Sequence, residues 1–138
     1  MKIAKEYIWE MGHRLPFHDD GCKNLHGHSY KLRIELEGEL NSSGIVVDYY
    51  DIDKIVQPIL SKLDHSFLAC KDDKELITAL EKLNSKHVII NFPSTAENIC
   101  KYILGEVCKF SFTNNVKKVS LRVYETTDTY AEESVAIN

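Results

Sequence analysis

A strict alternation of apolar and charged residues in segment 28–40 constrains the fold of this chain more than any other feature. The apolar positions are Tyr30, Leu32, Ile34 and Leu36. The charged positions between and after them are Lys31, Arg33, Glu35 and Glu37. A period of two predicts a strand with one face on a core and the other in water, as in antiparallel sheets. Segments 3–9, 116–124 and 130–137 are also expected to be strands, and 45–47 and 87–91 to be short apolar strands.

Three segments have the apolar spacing of helices. The first covers 52–63, with Asp48 or Asp51 as N-cap and Pro58 predicting a kink or an interrupted first turn. The second covers 76–83, and the third covers 95–110, where Ser94 and Glu97 match a capping box. Long antiparallel strands with segregated helices predict an α+β fold, an antiparallel sheet with helices packed on one face. Closure with other subunits into a barrel would remove the exposed sheet edges.

The length of 138 residues predicts a single domain spanning 1–138. A formal net charge of −4 argues against nucleic acid as the main partner. No apolar run approaches the roughly 18 residues that cross a bilayer, and residues 1–6 lack the apolar core of a signal peptide. We therefore expect a cytoplasmic protein with no membrane partner. The four cysteines are widely spaced and form no CxxC pair, so the sequence indicates neither a cysteine zinc knuckle nor a disulfide scaffold.

Three histidines fall where the first two long strands meet their connecting loop. His26 and His28 form an H-x-H unit whose imidazoles point to one face of a strand, and Gly27 between them permits close approach. His13 ends the preceding strand, which antiparallel pairing would place alongside. Three imidazoles without a thiolate leave one tetrahedral position open, as in catalytic zinc sites. An isolated H-x-H unit is equally well explained by surface histidines, and the third histidine favours the metal.

Further candidate groups lie near this loop and at two later element ends. Cys22, four residues before His26, is either a reactive thiolate near the cation or a fourth ligand that closes a structural site. Asp64 beside His65 can orient the imidazole, although such a dipeptide alone is more typical of a solvated helix end. Glu125, at a strand end, can accept two hydrogen bonds from a planar amidine-like edge, although an exposed glutamate is the commoner case.

Taken in order, five motifs resemble the family of 6-pyruvoyl-tetrahydropterin synthases and 6-carboxy-tetrahydropterin synthases. They are Gly12-His13-Arg14-Leu15, the C-x-x-x-H-G-H run from Cys22 to His28, Leu63-Asp64-His65, Ser94-Thr95-Ala96-Glu97-Asn98 and Tyr124-Glu125-Thr126. The resemblance spans nearly the whole chain. It implies the tunnelling fold, in which subunits close a barrel and commonly form a homohexamer of two stacked trimers with sites between subunits.

The resemblance also implies residue roles and a substrate, 7,8-dihydroneopterin triphosphate. Zn²⁺ held by His13, His26 and His28 would grip the hydroxyls of the substrate side chain. Cys22 would be the base, and Asp64 and His65 a relay pair from a neighbouring subunit. Glu125 would anchor the pterin ring with Thr126 beside it. The residues expected to contribute to the same pocket are Thr95 and Glu97.

The three-residue gap between Cys22 and His26 resembles the carboxy branch, which feeds queuosine and deazapurine synthesis and yields 6-carboxy-5,6,7,8-tetrahydropterin, acetaldehyde and triphosphate. A pyruvoyl-type synthase can share this gap, and a third branch has glutamate in place of the cysteine. A non-catalytic zinc module closed by Cys22 is the alternative from another class. Segment 70–86 is longer than in compact members of the carboxy branch, and we expect it to decorate the outside of the barrel or to reshape the rim of the pocket.

Overall fold

A computed structural model describes residues 1–137 and has a six-stranded sheet with three α-helices packed on it. The strands are β1 (Lys2–His13), β2 (His26–Gly38), β3 (Ser66–Cys70), β4 (His87–Ile90), β5 (Val116–Tyr124) and β6 (Tyr130–Ala136). The helices are α1 (Tyr49–Leu63), α2 (Lys74–Lys82) and α3 (Ala96–Val107). The strand order across the sheet is β4-β3-β1-β2-β5-β6. No helix among the described residues is long and apolar enough to cross a membrane.

The four long strands β1, β2, β5 and β6 pair antiparallel, as the alternation predicted. Strands β3 and β4 differ, because β3 pairs in parallel with both β1 and β4. The sheet is therefore mixed, whereas a wholly antiparallel sheet was expected. Parallel neighbours need a crossover connection, and α2 supplies it between β3 and β4. Strand β3 was not predicted.

The main core lies between one face of the sheet and helices α1 and α3. Its sheet side is built from residues at every second position of the long strands, including Trp9, Tyr30, Leu32, Leu121 and Val123, all buried. Helix α2 instead packs on Phe67 and Ala69. Because Leu68 between them belongs to the main core, α2 covers the opposite face of β3. The expectation that every helix packs on one face holds for α1 and α3 only.

Local details correct three further predictions. Segment 45–47 forms no strand, and Asp48 immediately after it caps α1 by accepting a hydrogen bond from Tyr50 N. Helix α1 continues through Pro58, so the predicted alternative of an interrupted first turn is wrong, and a kink at Pro58 stays a prediction. Helix α3 is capped by Thr95, whose side chain accepts from Asn98 N, so the predicted capping box of Ser94 and Glu97 does not form. Ser94 instead contacts His13 and Arg14.

Candidate metal centre

The register of β1 and β2 brings the three candidate histidines together. His13, the last residue of β1, lies directly opposite His26, the first residue of β2. His28 lies two positions further along β2 and therefore on the same face. The ring centroids of His13 lie 4.6 Å from His26 and 5.2 Å from His28, and those of His26 and His28 lie 4.9 Å apart. The predicted cluster therefore exists.

Backbone carbonyl groups fix the orientation of two of these rings. His13 Nδ1 lies 2.8 Å from the carbonyl oxygen of Ser94, and His26 Nδ1 lies 2.7 Å from that of Asn24. A carbonyl oxygen only accepts, so each Nδ1 carries the proton and donates. In the neutral ring, Nε2 is then the nitrogen without a proton, which is the one that can bind a metal. The ring of His13 is completely buried.

Glu125 joins the histidines as a fourth member of the cluster. Its Oε1 lies 3.1 Å from the Nε2 atoms of both His13 and His28. The adjacent side chain of His13 lowers the pKa of Glu125 most, and His28 and His26 add to this effect, against the opposing effect of burial.

The position of Glu125 in this cluster was not anticipated, because the sequence motif assigned the residue to the pterin ring alone. The alternation of β5 carries a signal that could have indicated it. Leu121 and Val123 face the main core, and the same alternation puts residue 125 on their face of the sheet. His28 lies on that face in the neighbouring strand β2, since it continues the alternation of the buried Tyr30.

The cluster fits a divalent cation. One ligand atom from each of the four side chains lies within 4.8 Å of the others. Apart from the Glu125 carboxylate, the buried Nε2 atoms of His13 and His28 have no hydrogen-bond partner among residues 1–137. Burial lowers the pKa of His28 against the opposing charge of Glu125, and His13 and His26 lower it further, which favours the neutral imidazole that ligates metals. Three imidazole nitrogens and a carboxylate are donors that suit zinc.

Cys22 lies beside this cluster without belonging to it. It sits in a short 3₁₀ helix, Gly21–Lys23, and its carbonyl oxygen accepts a hydrogen bond from Leu15 N at 2.8 Å, which folds the loop back. Its thiol is not part of the four-residue cluster found among the described residues. Burial raises the pKa of Tyr30, and the charges of Glu125 and Cys22 raise it further. Cys22 and Glu125 therefore lie near the same buried phenol, whose ring packs edge-on to His28.

Asp64 and His65 form the expected pair at the end of α1. Asp64 Oδ2 lies 3.0 Å from His65 Nδ1, and its Oδ1 accepts a hydrogen bond from Glu10 N at 2.9 Å. His65 has a left-handed backbone conformation, with φ of +54°. Its side chain is 77% exposed, and it lines a cavity of about 370 Å³ together with His28. His65 thus lies beside a space that one of the candidate metal ligands also lines.

The remaining candidate residues divide into two groups. Thr126 lines a cavity of about 670 Å³ with Glu125, His28 and Lys31. Thr95 caps α3, and Glu97 lines a different cavity beside β6. Neither Thr95 nor Glu97 lines the two cavities that contain His28, and their place in the substrate pocket stays a prediction.

Two residues near the cluster were not identified from the sequence as part of it. Ser94 supplies the carbonyl oxygen that orients His13, and its hydroxyl lies 3.4 Å from the carbonyl oxygen of Arg14. Tyr30 places a buried hydroxyl beside the histidine rings. The position of Ser94 could not be anticipated because it lies 81 positions from His13 along the chain. Tyr30 could have been noticed, since it continues the face that carries His26 and His28.

Comparison with known proteins agrees with this geometry. The family described as 6-pyruvoyl tetrahydropterin synthase matches residues 2–135. A protein of Haemophilus influenzae named 6-carboxy-5,6,7,8-tetrahydropterin synthase is 37% identical, over 95% of this chain and 96% of its own length. A protein of Rickettsia conorii with the same name is 30% identical, over 96% of this chain and 99% of its own length.

Solved structures share the fold. The 6-pyruvoyl tetrahydropterin synthase of Plasmodium falciparum superposes with a TM-score of 0.78 at 16% identity, over 99% of this chain and 98% of that one. The Plasmodium vivax enzyme superposes with a TM-score of 0.77 at 21% identity and the same coverage. At such identities the likeness concerns the fold alone. With a family match over nearly the whole chain, this protein belongs to the 6-pyruvoyl tetrahydropterin synthase family.

Proposed function

We propose that this protein converts 7,8-dihydroneopterin triphosphate to 6-carboxy-5,6,7,8-tetrahydropterin in a zinc-dependent reaction. Acetaldehyde and triphosphate are released and water is taken up. The observation that carries the proposal is the convergence of His13, His26 and His28 with Glu125, their ligand atoms within 4.8 Å of one another. The names of the relatives from H. influenzae and R. conorii support the carboxy branch. The product enters queuosine or deazapurine synthesis on this proposal.

His13, His26 and His28 hold the metal in the proposed site. When bound, zinc supplies Lewis-acid polarisation of the hydroxyl oxygens on the substrate side chain, which makes the adjacent carbon-bound protons more acidic. Glu125 anchors the pterin ring by accepting hydrogen bonds from its amino group and a ring nitrogen. Its contact with His13 and His28 at 3.1 Å keeps this anchor next to the metal ligands. Thr126 lines the same cavity.

Proton transfer is assigned to Cys22 and to the pair of Asp64 and His65. Cys22 is the base, and its thiolate accepts a proton from the side-chain carbon. Asp64 accepts a hydrogen bond from His65 Nδ1, which leaves Nε2 of that exposed ring free to exchange protons with the substrate. We assign this pair to the site of a neighbouring subunit.

Product analysis tests the proposal directly. The purified zinc-loaded protein is incubated with 7,8-dihydroneopterin triphosphate, and the pterins are identified by mass spectrometry. We expect a carboxylate at carbon 6, with acetaldehyde and triphosphate in equal amounts. A three-carbon ketone chain on the pterin would instead assign the chain to the pyruvoyl branch, whose name the family description carries. Absence of any turnover would contradict both enzyme assignments.

Two variants separate the enzyme from a non-catalytic zinc module. Cys22→Ala should retain zinc and lose turnover, because the thiol acts as a base and not as a ligand. His26→Ala should lose zinc as well as turnover. If Cys22→Ala lost zinc as His26→Ala does, Cys22 would be a ligand of a closed site and the catalytic proposal would be wrong.

The proposed assembly is a homohexamer of two stacked trimers with sites between subunits. Strands β4 and β6 form the outer edges of the sheet in the described chain, and pairing between subunits would cover such edges. Light scattering after size exclusion measures the subunit number. Mixed oligomers of Cys22→Ala and His65→Asn subunits test whether sites are shared. If each site takes Cys22 from one subunit and His65 from its neighbour, some sites in the mixture contain both intact residues. Recovery of part of the activity is expected, and none would place both groups in one subunit.

A further inference from the structure

We infer that the ion pair of Arg14 and Asp73 positions the metal ligand His13, so that segment 70–86 contributes to metal binding. The inference rests on the proposed metal site. It assigns a role in metal binding to a segment that was expected to decorate the outside of the barrel or to reshape the rim of the pocket. Three features carry it: the geometry of the pair, the anchoring of Asp73, and the contacts that link Arg14 to the ring of His13.

The pair is bidentate and largely buried. Arg14 Nε donates to Asp73 Oδ2 at 2.7 Å, and Arg14 Nη2 donates to Oδ1 at 2.6 Å. Asp73 is only 9% exposed. The guanidinium holds the pKa of Asp73 below its usual value. Two parallel charge-assisted hydrogen bonds fix direction as well as distance, which a single exposed ion pair does not.

Asp73 is itself anchored to the sheet. It accepts a hydrogen bond from Leu76 N as the N-cap of α2, and its own amide donates to the carbonyl oxygen of Cys70 at 2.9 Å. Cys70 ends β3, a strand that pairs with β1 at Gly12. The carboxylate is therefore held in place from two sides, and it holds the first residue after β1.

Arg14 is linked to the ring of His13 through Ser94. The carbonyl oxygen of Arg14 lies 3.4 Å from the Ser94 hydroxyl, and the carbonyl oxygen of Ser94 accepts from His13 Nδ1 at 2.8 Å. Ser94 is 1% exposed. Because the chain leaves the sheet at Arg14, β1–β2 pairing among residues 1–137 ends at His13. The Asp73 carboxylate adds a side-chain restraint on the backbone immediately after the ligand.

The expected effect is a loss of metal affinity. Removing a group that orients a metal ligand typically weakens binding by about 10-fold to 100-fold. Ser94 contacts the ring of His13 directly, whereas the ion pair acts on that ring through Ser94. We therefore expect the lower value, about tenfold. Asp73→Asn is the first variant, because asparagine caps a helix as well as aspartate and α2 keeps its N-cap. Arg14→Met is the second, because it prevents Glu75, 3.8 Å away, from replacing Asp73 as the partner.

The test measures the zinc dissociation constant of the full chain by competition with a chromophoric chelator. The visible absorption of the Co²⁺-loaded protein reports the ligand geometry independently of activity. Both single variants should raise the dissociation constant about tenfold. The double variant should raise the zinc dissociation constant no further than the more strongly affected single variant does, because the two residues act as one unit. Glu132→Gln is the control: it breaks a similar pair with Arg122 on the opposite face, and affinity should not change.

The outcomes are distinguishable. If the wild-type chain bound no zinc, the proposed metal site would fail, whatever the variants did. If the wild type bound zinc and both single variants bound it within twofold, with an unchanged Co²⁺ spectrum, the positioning role would be overturned. Urea denaturation of the metal-free proteins measures a purely structural contribution. A fall in that stability with unchanged zinc affinity would likewise overturn the inference.

Discussion

The substitution Gly27→Ala tests the geometry of the metal centre at a close approach between two backbones. Gly27 lies between His26 and His28 and faces Gly12 across the β1–β2 ladder. A Cβ at this position would lie 3.0 Å from the carbonyl oxygen of Met11 and 3.5 Å from Gly12 Cα. Both are backbone atoms, so no side-chain rotation can relieve the contact. Since C···O contacts are normally about 3.3–3.6 Å, the two strands must separate by roughly 0.3 Å.

This separation exceeds what a zinc site tolerates. His13 is on β1, and His26 and His28 are on β2, so the strands carry the ligands apart. Metal–ligand distances are held to within about 0.2 Å. We therefore expect the zinc dissociation constant to rise by about tenfold or more, as when orienting groups are removed. The free energy of unfolding of the metal-free chain should fall by about 1–3 kcal/mol, the usual cost of overpacking.

Chelator competition and urea denaturation measure these two quantities. Gly105→Ala in α3 is the matched control, because an added Cβ meets nothing within 4 Å there. That variant should gain about 0.5–1 kcal/mol from improved helix propensity and bind zinc as the wild type does. If Gly27→Ala bound zinc within twofold of the wild type, the reasoning from strand separation to ligand geometry would be refuted.

Four further outcomes follow from the same geometry. His65→Asn should change the free energy of unfolding by less than about 0.5 kcal/mol, since asparagine tolerates positive φ, and should abolish turnover. Tyr30→Phe removes a hydroxyl that has no hydrogen-bond partner among residues 1–137, so urea denaturation should show equal or higher stability. Glu125→Gln should raise KM about tenfold in steady-state assays while retaining zinc. Zinc at a hundredfold its dissociation constant should stabilise the chelator-treated protein by about 2.7 kcal/mol in thermal unfolding.

The long strands could be predicted because their pattern is local. The alternation over 116–124 coincides with the bounds of β5, Val116–Tyr124. Strand β3, Ser66–Cys70, lacks this pattern because residues on both of its faces are buried: Leu68 packs on the main core and Ala69 packs under α2. Its parallel pairing with β1 joins segments more than 50 residues apart, for example Met11 with Ser66. Nothing in a five-residue window could indicate that partner.

The candidate site also combines features that the sequence predicts with features that depend on distant parts of the chain. The ligand types and the shared face of His26 and His28 follow from the sequence, because the spacing of two is local. The tautomer of His13 does not, because the carbonyl oxygen that orients its ring belongs to Ser94. Glu125 is intermediate: the alternation of β5 gives its face, but only the pairing of β5 with β2 brings that face to His28.

The site therefore depends on register more than on any single contact. Strand β2 pairs with β1 on one side and with β5 on the other, and the histidines and Glu125 lie where these three strands end. A slip of one residue would turn the ligands of one strand to the opposite face of the sheet. The buried residues that continue the same alternation, such as Trp9 and Tyr30, whose stacked rings lie 5.1 Å apart, oppose such a slip. The apolar core that made the fold predictable thus also keeps the four candidate ligand residues on one face.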